Sequence, residues 1–130
     1  MLVIGKFLEI FWIEPVKSFR IIVGKIEYCL YNYGNFYTNP GTGAESDLHR
    51  ISNEMRNTAS DLKGNSSTLP KWKWVRALFG IPNESDLNQA ASCLVGISNR
   101  VFCPDKKFIF NYIDLNEKAR DECRTLLKIE

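Results

Sequence analysis

The chain has 130 residues, a formal net charge of +2, an apolar fraction of 45% and a charged fraction of 25%, which describes one ordinary globular domain able to bury a core without disulfides or metal. Its pI of about 8.3 lies below the range above ~9 expected of a dedicated nucleic-acid domain. One histidine, His49, and four cysteines (Cys29, Cys93, Cys103 and Cys123) with no CxxC pair exclude a zinc site of finger or ribbon spacing.

The run Met-Leu-Val-Ile-Gly-Lys-Phe-Leu-Glu-Ile-Phe-Trp-Ile is strongly apolar, but it is only 13 residues long and carries Lys6 and Glu9. A bilayer-spanning helix needs about 20 apolar residues. The same two charges, and the lack of a small-residue cleavage site, argue against a cleavable signal peptide. Glu14-Pro15 is expected to interrupt the run, because the residue before proline is pushed out of the helical region. Residues 16–33 then show helical periodicity, with Val16, Phe19, Val23, Ile26, Leu30 and Tyr33 at steps of three and four. Ile21, Ile22, Tyr28 and Tyr31 widen this apolar face beyond what a surface helix of a soluble domain needs. Gly34 ends it.

Residues 34–44, dense in Asn, Gly and Pro, read as a loop and as a hinge between an N-terminal segment (1–33) and a helical body (45–130). Within the body, the pattern predicts a helix over 45–63, with Leu48, Ile51, Met55, Ala59 and Leu62 as its stripe and Lys63-Gly64 at its close. A short helix follows over 70–79, with Pro70 in its first turn, Gly80 as its stop, Ile81 packing back and Pro82 preventing continuation. The most regular helix is expected over 83–102. Asn83 caps it, and Leu87, Ala90, Ala91, Leu94, Ile97, Val101 and Phe102 form its core face. A last helix is expected over 111–128, with Tyr112, Leu115, Ala119, Cys123 and Leu126 inward. Phe108-Ile109-Phe110 serves as its extended lead-in or its first turn. No segment alternates with period two, so the fold class read here is all-α: an antiparallel bundle of about four main helices plus a short bridging helix.

The sequence offers little to a catalytic unit. Any Ser/His/Asp or Cys/His arrangement must use His49, which stands among Asp47, Arg50 and Glu54 in the first turn of a helix. A helical ribonuclease with an Arg-x4-His motif fails on its residues, since Ala44 stands five positions before His49. The pairs Asp47 and Glu54, Asp114 and Glu117, and Asp121 and Glu122 suit caps and solvated helix faces. No Glu-x-x-His motif of a di-iron bundle is present, and Gly41-Thr42-Gly43 lacks the lysine and hydroxyl of a phosphate-binding loop. Cys29, Cys93 and Cys123 fall at apolar helical positions and read as reduced core residues. In a reducing compartment the sequons at Asn65 and Asn83 carry no meaning. No catalytic residue, cofactor or metal is expected, nor a small-molecule substrate.

Two clusters point to a surface. Lys71-Trp72-Lys73-Trp74-Val75-Arg76 interleaves cations with aromatic rings. A membrane interface favours that mixture, and so does single-stranded nucleic acid. The bland alternative is a short amphipathic helix with Trp72, Val75, Leu78 and Phe79 inward and only Trp74 partly exposed. Phe7, Phe11, Trp12 and Phe19, with Leu8, Ile13 and Val16 beside them, are too apolar to stand in water as a free arm. They are expected on a membrane, in a self-association contact or packed on the body, with Lys6, Lys17, Arg20 and Lys25 flanking them as an interfacial helix requires.

Residues 16–130 resemble a family of short uncharacterised bacterial proteins. The likeness rests on Tyr31-Asn32-Tyr33-Gly34-Asn35-Phe36-Tyr37-Thr38-Asn39-Pro40, the helix from Leu48 to Leu62, Leu78-Phe79-Gly80-Ile81-Pro82 and Ala90-Ala91-Ser92-Cys93-Leu94-Val95-Gly96-Ile97-Ser98-Asn99. The resemblance implies a helical domain behind an N-terminal hydrophobic anchor. This chain departs from the usual anchor at Lys6, Glu9 and Pro15, which argues against a full membrane span. The expectation is therefore a non-enzymatic binding or scaffolding protein at the cytoplasmic face of a membrane. Its contacts would be Phe7, Phe11, Trp12, Phe19, Lys71, Trp72, Lys73, Trp74 and Arg76, and self-association is compatible with it. Two rivals are an oligomerising membrane-active effector of toxin or antiphage type, and a nucleic-acid accessory protein using residues 71–76.

Overall fold

The computed structural model describes residues 12–129, and among them the chain is all-α, with no strand. Helix α1 spans Glu14–Asn32. Pro15 stands in its first turn, and residues 1–11 of the run that Glu14-Pro15 is expected to interrupt lie outside the described residues. Residues 12–13 already wind in a wider π turn, and Ile13 sits at φ −69°, ψ −48°. A proline in the first regular α-helical turn withdraws an N–H that has no partner there, so Pro15 is accommodated at the start of α1. The Pro15 carbonyl accepts from Asn65 Nδ2 at 3.2 Å.

The hinge expected over 34–44 is instead a pinned connection. Gly34–Tyr37 forms a one-turn helix, α2. Tyr37 and Pro40 are buried, and the Tyr37 hydroxyl donates to the Leu30 carbonyl. Gly41 donates to the Val101 carbonyl at 2.8 Å. Its φ of +77° is a glycine conformation, and a Cβ there would lie 3.3 Å from the Cys103 backbone nitrogen.

Helix α3 spans Glu45–Ser66, running through Gly64 rather than closing at it. Helix α4 is Lys73–Phe79. Helix α5, Glu84–Arg100, starts as its sequence demands: the Asn83 side chain accepts from the Asp86 N–H at 2.8 Å. A 3₁₀ turn at Lys106–Phe108 leads into α6, Ile109–Leu126. Phe110 is therefore in the first turn of α6.

α5 packs against both α3 and α6, and α1 packs against α3. One core results. Val16, Phe19, Ile26 and Leu30 of α1 join Ile51, Met55 and Leu62 of α3 and Leu87, Leu94 and Ile97 of α5. The helix assigned from sequence to a separate N-terminal segment is thus a wall of the body. Each fully buried aliphatic side chain contributes roughly 1.5–3 kcal/mol, so α1 is held firmly by its inward face. The α6 stripe departs from its expected composition. Leu115 is exposed and Tyr112 half-buried, while Asn116 joins Ala119 and Cys123 inside. Asn116 is tolerated there because all its polar atoms are paired. Its Nδ2 donates to the Tyr37 carbonyl at 2.7 Å and the Arg100 carbonyl at 3.3 Å, and its Oδ1 accepts from Arg100 Nε at 2.8 Å. No described helix is long and apolar enough to cross a membrane.

Candidate interaction surface

Helix α4 has seven residues, too few to be stable alone, and its geometry is imposed from both ends. At its C-terminus, Gly80 takes the left-handed conformation (φ 68°, ψ 31°) and donates to the Ala77 carbonyl at 3.3 Å, while Ile81 donates to the Arg76 carbonyl at 2.8 Å. These two bonds with a buried Ile81 make a Schellman stop. Across its middle, Arg76 is only 8% exposed. Its Nε donates to the Pro70 carbonyl at 2.9 Å and its Nη1 to the Pro82 carbonyl at 3.2 Å. One guanidinium thereby ties the segment before the helix to the segment after it. From α1, Arg20 Nη2 donates to the Phe79 carbonyl at 3.2 Å.

This bracing holds α4 with its aromatic residues outward. Trp72 is 59% exposed, Trp74 64% and Leu78 74%, so the amphipathic packing that would have hidden Trp72 and Leu78 does not occur; Val75 alone of that set is fully inside. The two indoles lie nearly parallel, centroids 6.0 Å apart and planes 14° apart. Trp12, from the turn preceding α1, meets both edge-on, at 5.9 Å from Trp72 and 6.4 Å from Trp74. Edge-to-face and offset contacts at these distances are mutually favourable, and they join residues 60 positions apart into one patch. Ile13 is exposed next to Trp12, and Lys71 and Lys73 are exposed beside the rings.

The sequence-derived contact set therefore divides. Trp12, Lys71, Trp72, Lys73 and Trp74 come together at the surface. Phe19 and Arg76 do not: Phe19 is buried in the core because it lies on the inward face of α1, and Arg76 is withdrawn by its two carbonyl partners. Phe7 and Phe11 lie outside the described residues. Leu78 and Ile13 belong to the exposed set; Leu78 could have been found by noting that it stands four residues after Trp74 and so shares its helix face.

The other polar clusters are internal ties. Arg56 donates to Ser98 at 3.2 Å and to Asn99, joining α3 to α5. Arg100 engages Asn116, which reaches the 34–44 connection through the Tyr37 carbonyl. Tyr33 donates to Glu54, which raises the Tyr33 phenol to about 12 through that hydrogen bond first, with burial adding to it. Burial pushes the Cys29 and Cys93 thiols up to about 11 and Cys123 to about 12, so these three are protonated and poor nucleophiles at neutral pH. His49 is exposed, 3.7 Å from Glu45 and 4.9 Å from the Phe102 ring. No group of three metal-ligating side chains occurs among the described residues.

Comparison with known proteins found no matching family model, no matching curated protein and no matching solved structure.

Proposed function

We propose that this chain is a membrane-associated binding or scaffolding protein that lies on a lipid surface through the tryptophan patch. The observation that carries the reading is the convergence of Trp12, Trp72 and Trp74 with exposed Leu78, Lys71 and Lys73 on one face. Indole rings favour the headgroup level of a bilayer, and lysines beside them meet anionic phosphates. The short helix cannot cross; it can only lie in the interface, with Leu78 and the rings entering the acyl boundary. In this reading the four longer helices form an antiparallel bundle bridged by α4, and the surface served is the cytoplasmic leaflet.

Flotation with vesicles of zwitterionic lipid alone and of a zwitterionic–anionic mixture tests it. The full chain should float with the anionic vesicles. The double variant Trp72→Ala/Trp74→Ala should lose roughly 2–4 kcal/mol of binding, from the apolar area that the rings cease to bury. Lys71→Gln/Lys73→Gln should lose about 2 kcal/mol on anionic vesicles only, at about 1 kcal/mol per cation. A full chain that stays with the soluble fraction on both vesicle types refutes the reading. Dye release from the vesicles would favour a membrane-active effector instead, and a salt-dependent complex with single-stranded RNA would favour the nucleic-acid rival.

A further inference from the structure

Helix α1 carries two apolar seams where a wall of a core needs one. The inward seam is buried. The outward one runs Lys17, Ile21, Gly24, Tyr28, Tyr31, at alternating steps of four and three, which is the a/d spacing of a helix that meets another helix. Ile21 is 62% exposed, Tyr28 54% and Tyr31 81%.

Gly24 sits in the middle of this seam, and nothing among the described residues requires a glycine there. Its φ is not positive, and a Cβ built on it meets no atom of the described residues within 4 Å. Glycine is the poorest interior helix former after proline. Gly64 of α3 is equally open, and it lines the same face: a cleft of about 450 Å³ is bounded by Ile21, Lys25, Asp61 and Gly64 among others. A larger cleft of about 770 Å³ continues between α1 and α3 past Gly24 and Tyr28. Two helical glycines with no described neighbour over them, one of them between Ile21 and the exposed Tyr28 ring, describe a surface shaped for a close-approaching helix.

We propose that this face binds a second copy of the chain, with the two α1 helices antiparallel about a two-fold axis. The seam is complementary to itself in that orientation. When Tyr28 of each copy enters the space over Gly24 of the other, Ile21 meets Tyr31 of the second copy, so each large apolar side chain of the seam faces a hole or an apolar partner, and Lys17 lies beyond the paired stretch. A parallel pair would set glycine against glycine and Tyr28 against Tyr28, leaving a void beside a collision. Charge agrees. Lys25 and Asp61 line both clefts, yet among the described residues neither side chain forms an ion pair or a hydrogen bond. In the two-fold pair, Lys25 of one copy reaches Asp61 of the other, twice, as an isologous interface requires. The face presents fewer residues than the roughly 20–30 per side of a standard interface, so the dimer is expected to dissociate in the micromolar range. The inference is independent of the membrane reading, because this seam and the tryptophan patch share no residue.

Sedimentation velocity of the full chain without lipid, across the micromolar range, is the test. The mass should rise from the 15.0 kDa monomer toward twice that value. Gly24→Leu should weaken self-association at least about tenfold by filling the hole, while its thermal midpoint stays equal or rises, a split that damage to the fold would not produce. Lys25→Asp and Asp61→Lys should each weaken the dimer, and the double variant should restore it. A monomer at every concentration, or a dimer indifferent to Gly24→Leu, overturns the proposal. So does a monomer whose vesicle binding falls on Ile21→Asp/Tyr28→Asp, which would give the seam to lipid.

Discussion

Replacing Arg76 by methionine separates two roles that the sequence alone leaves confounded. In a basic–aromatic run, Arg76 is a lipid or partner contact; in the structure it ties Pro70 to Pro82 from a buried position. Methionine keeps most of the apolar stem and removes both donors. Each freed carbonyl belongs to a buried proline, and each bond from a charged donor is worth ~1.5–3 kcal/mol. Water reaching the carbonyls and relief of the buried charge offset part of this, which leaves a net loss of about 2–3 kcal/mol. For 130 residues, unfolding entropy near ~2.1 cal/mol/K per residue gives about 0.27 kcal/mol/K, so the midpoint should fall by roughly 7–11 °C. Differential scanning calorimetry reads this directly, and Arg76→Lys should recover only a minor part, because one ammonium on a flexible stem cannot span both carbonyls. An Arg76→Met protein with an unchanged midpoint and vesicle binding weakened by only ~1 kcal/mol, the contribution of one surface cation, would refute the bracing role.

Three further outcomes follow from the same geometry. Asn116→Ala removes three hydrogen bonds at the junction of α5, α6 and the 34–44 connection, and chemical denaturation should show a loss of about 3 kcal/mol, with Asn116→Leu no better because the Tyr37 carbonyl stays unpaired. Lys128, at φ 59°, is the one non-glycine with positive φ among the described residues, and it occupies the left-handed position of a second Schellman stop, with Ile129 donating to the Arg124 carbonyl at 2.8 Å. Lys128→Gly should therefore stabilise by ~0.5–1 kcal/mol in thermal melts, while Gly80→Ala should destabilise by ~1–2 kcal/mol. The three buried thiols and Tyr33 have folded pKa values above their unfolded ones. The folded state therefore holds more protons between pH 9 and 12, and stability present below pH 9 must fall as pH rises through that window. The denaturant midpoint measured from pH 8 to 11 should decline, and less steeply in a Cys29→Ala/Cys93→Ala/Cys123→Ala variant once its own lower starting stability is subtracted.

Much of this architecture is legible in residue order. The stripe Leu48, Ile51, Met55, Ala59, Leu62 and the stripe Leu87, Ala90, Ala91, Leu94, Ile97, Val101 are buried as their periodicity demands, and Asn83 and Gly80 bound helices where their cap chemistry places them. What periodicity misses is decided by tertiary pairing. Pro15 stands where α1 begins, in a first turn where a proline loses no bond. Residues 34–44 read as a hinge from composition, yet Tyr37 and Gly41 are fixed by partners about 60 to 80 positions away. Leu115 reads as core, but Asn116 takes that place because Arg100 and the Tyr37 carbonyl satisfy it. The candidate surface is half visible in the same way. The Lys71–Arg76 run announces rings and cations, but that Trp12 completes the cluster, and that Arg76 turns inward to hold it, are facts of packing across the chain.

The chain's three tryptophans all lie in the proposed membrane contact, so tryptophan fluorescence, excited selectively over that of the tyrosines, reports on that site. Titrating the full chain with anionic vesicles, some carrying brominated acyl chains, should shift the emission to the blue, and the brominated lipid should quench it. Emission that neither shifts nor is quenched at saturating lipid would contradict the account at its centre.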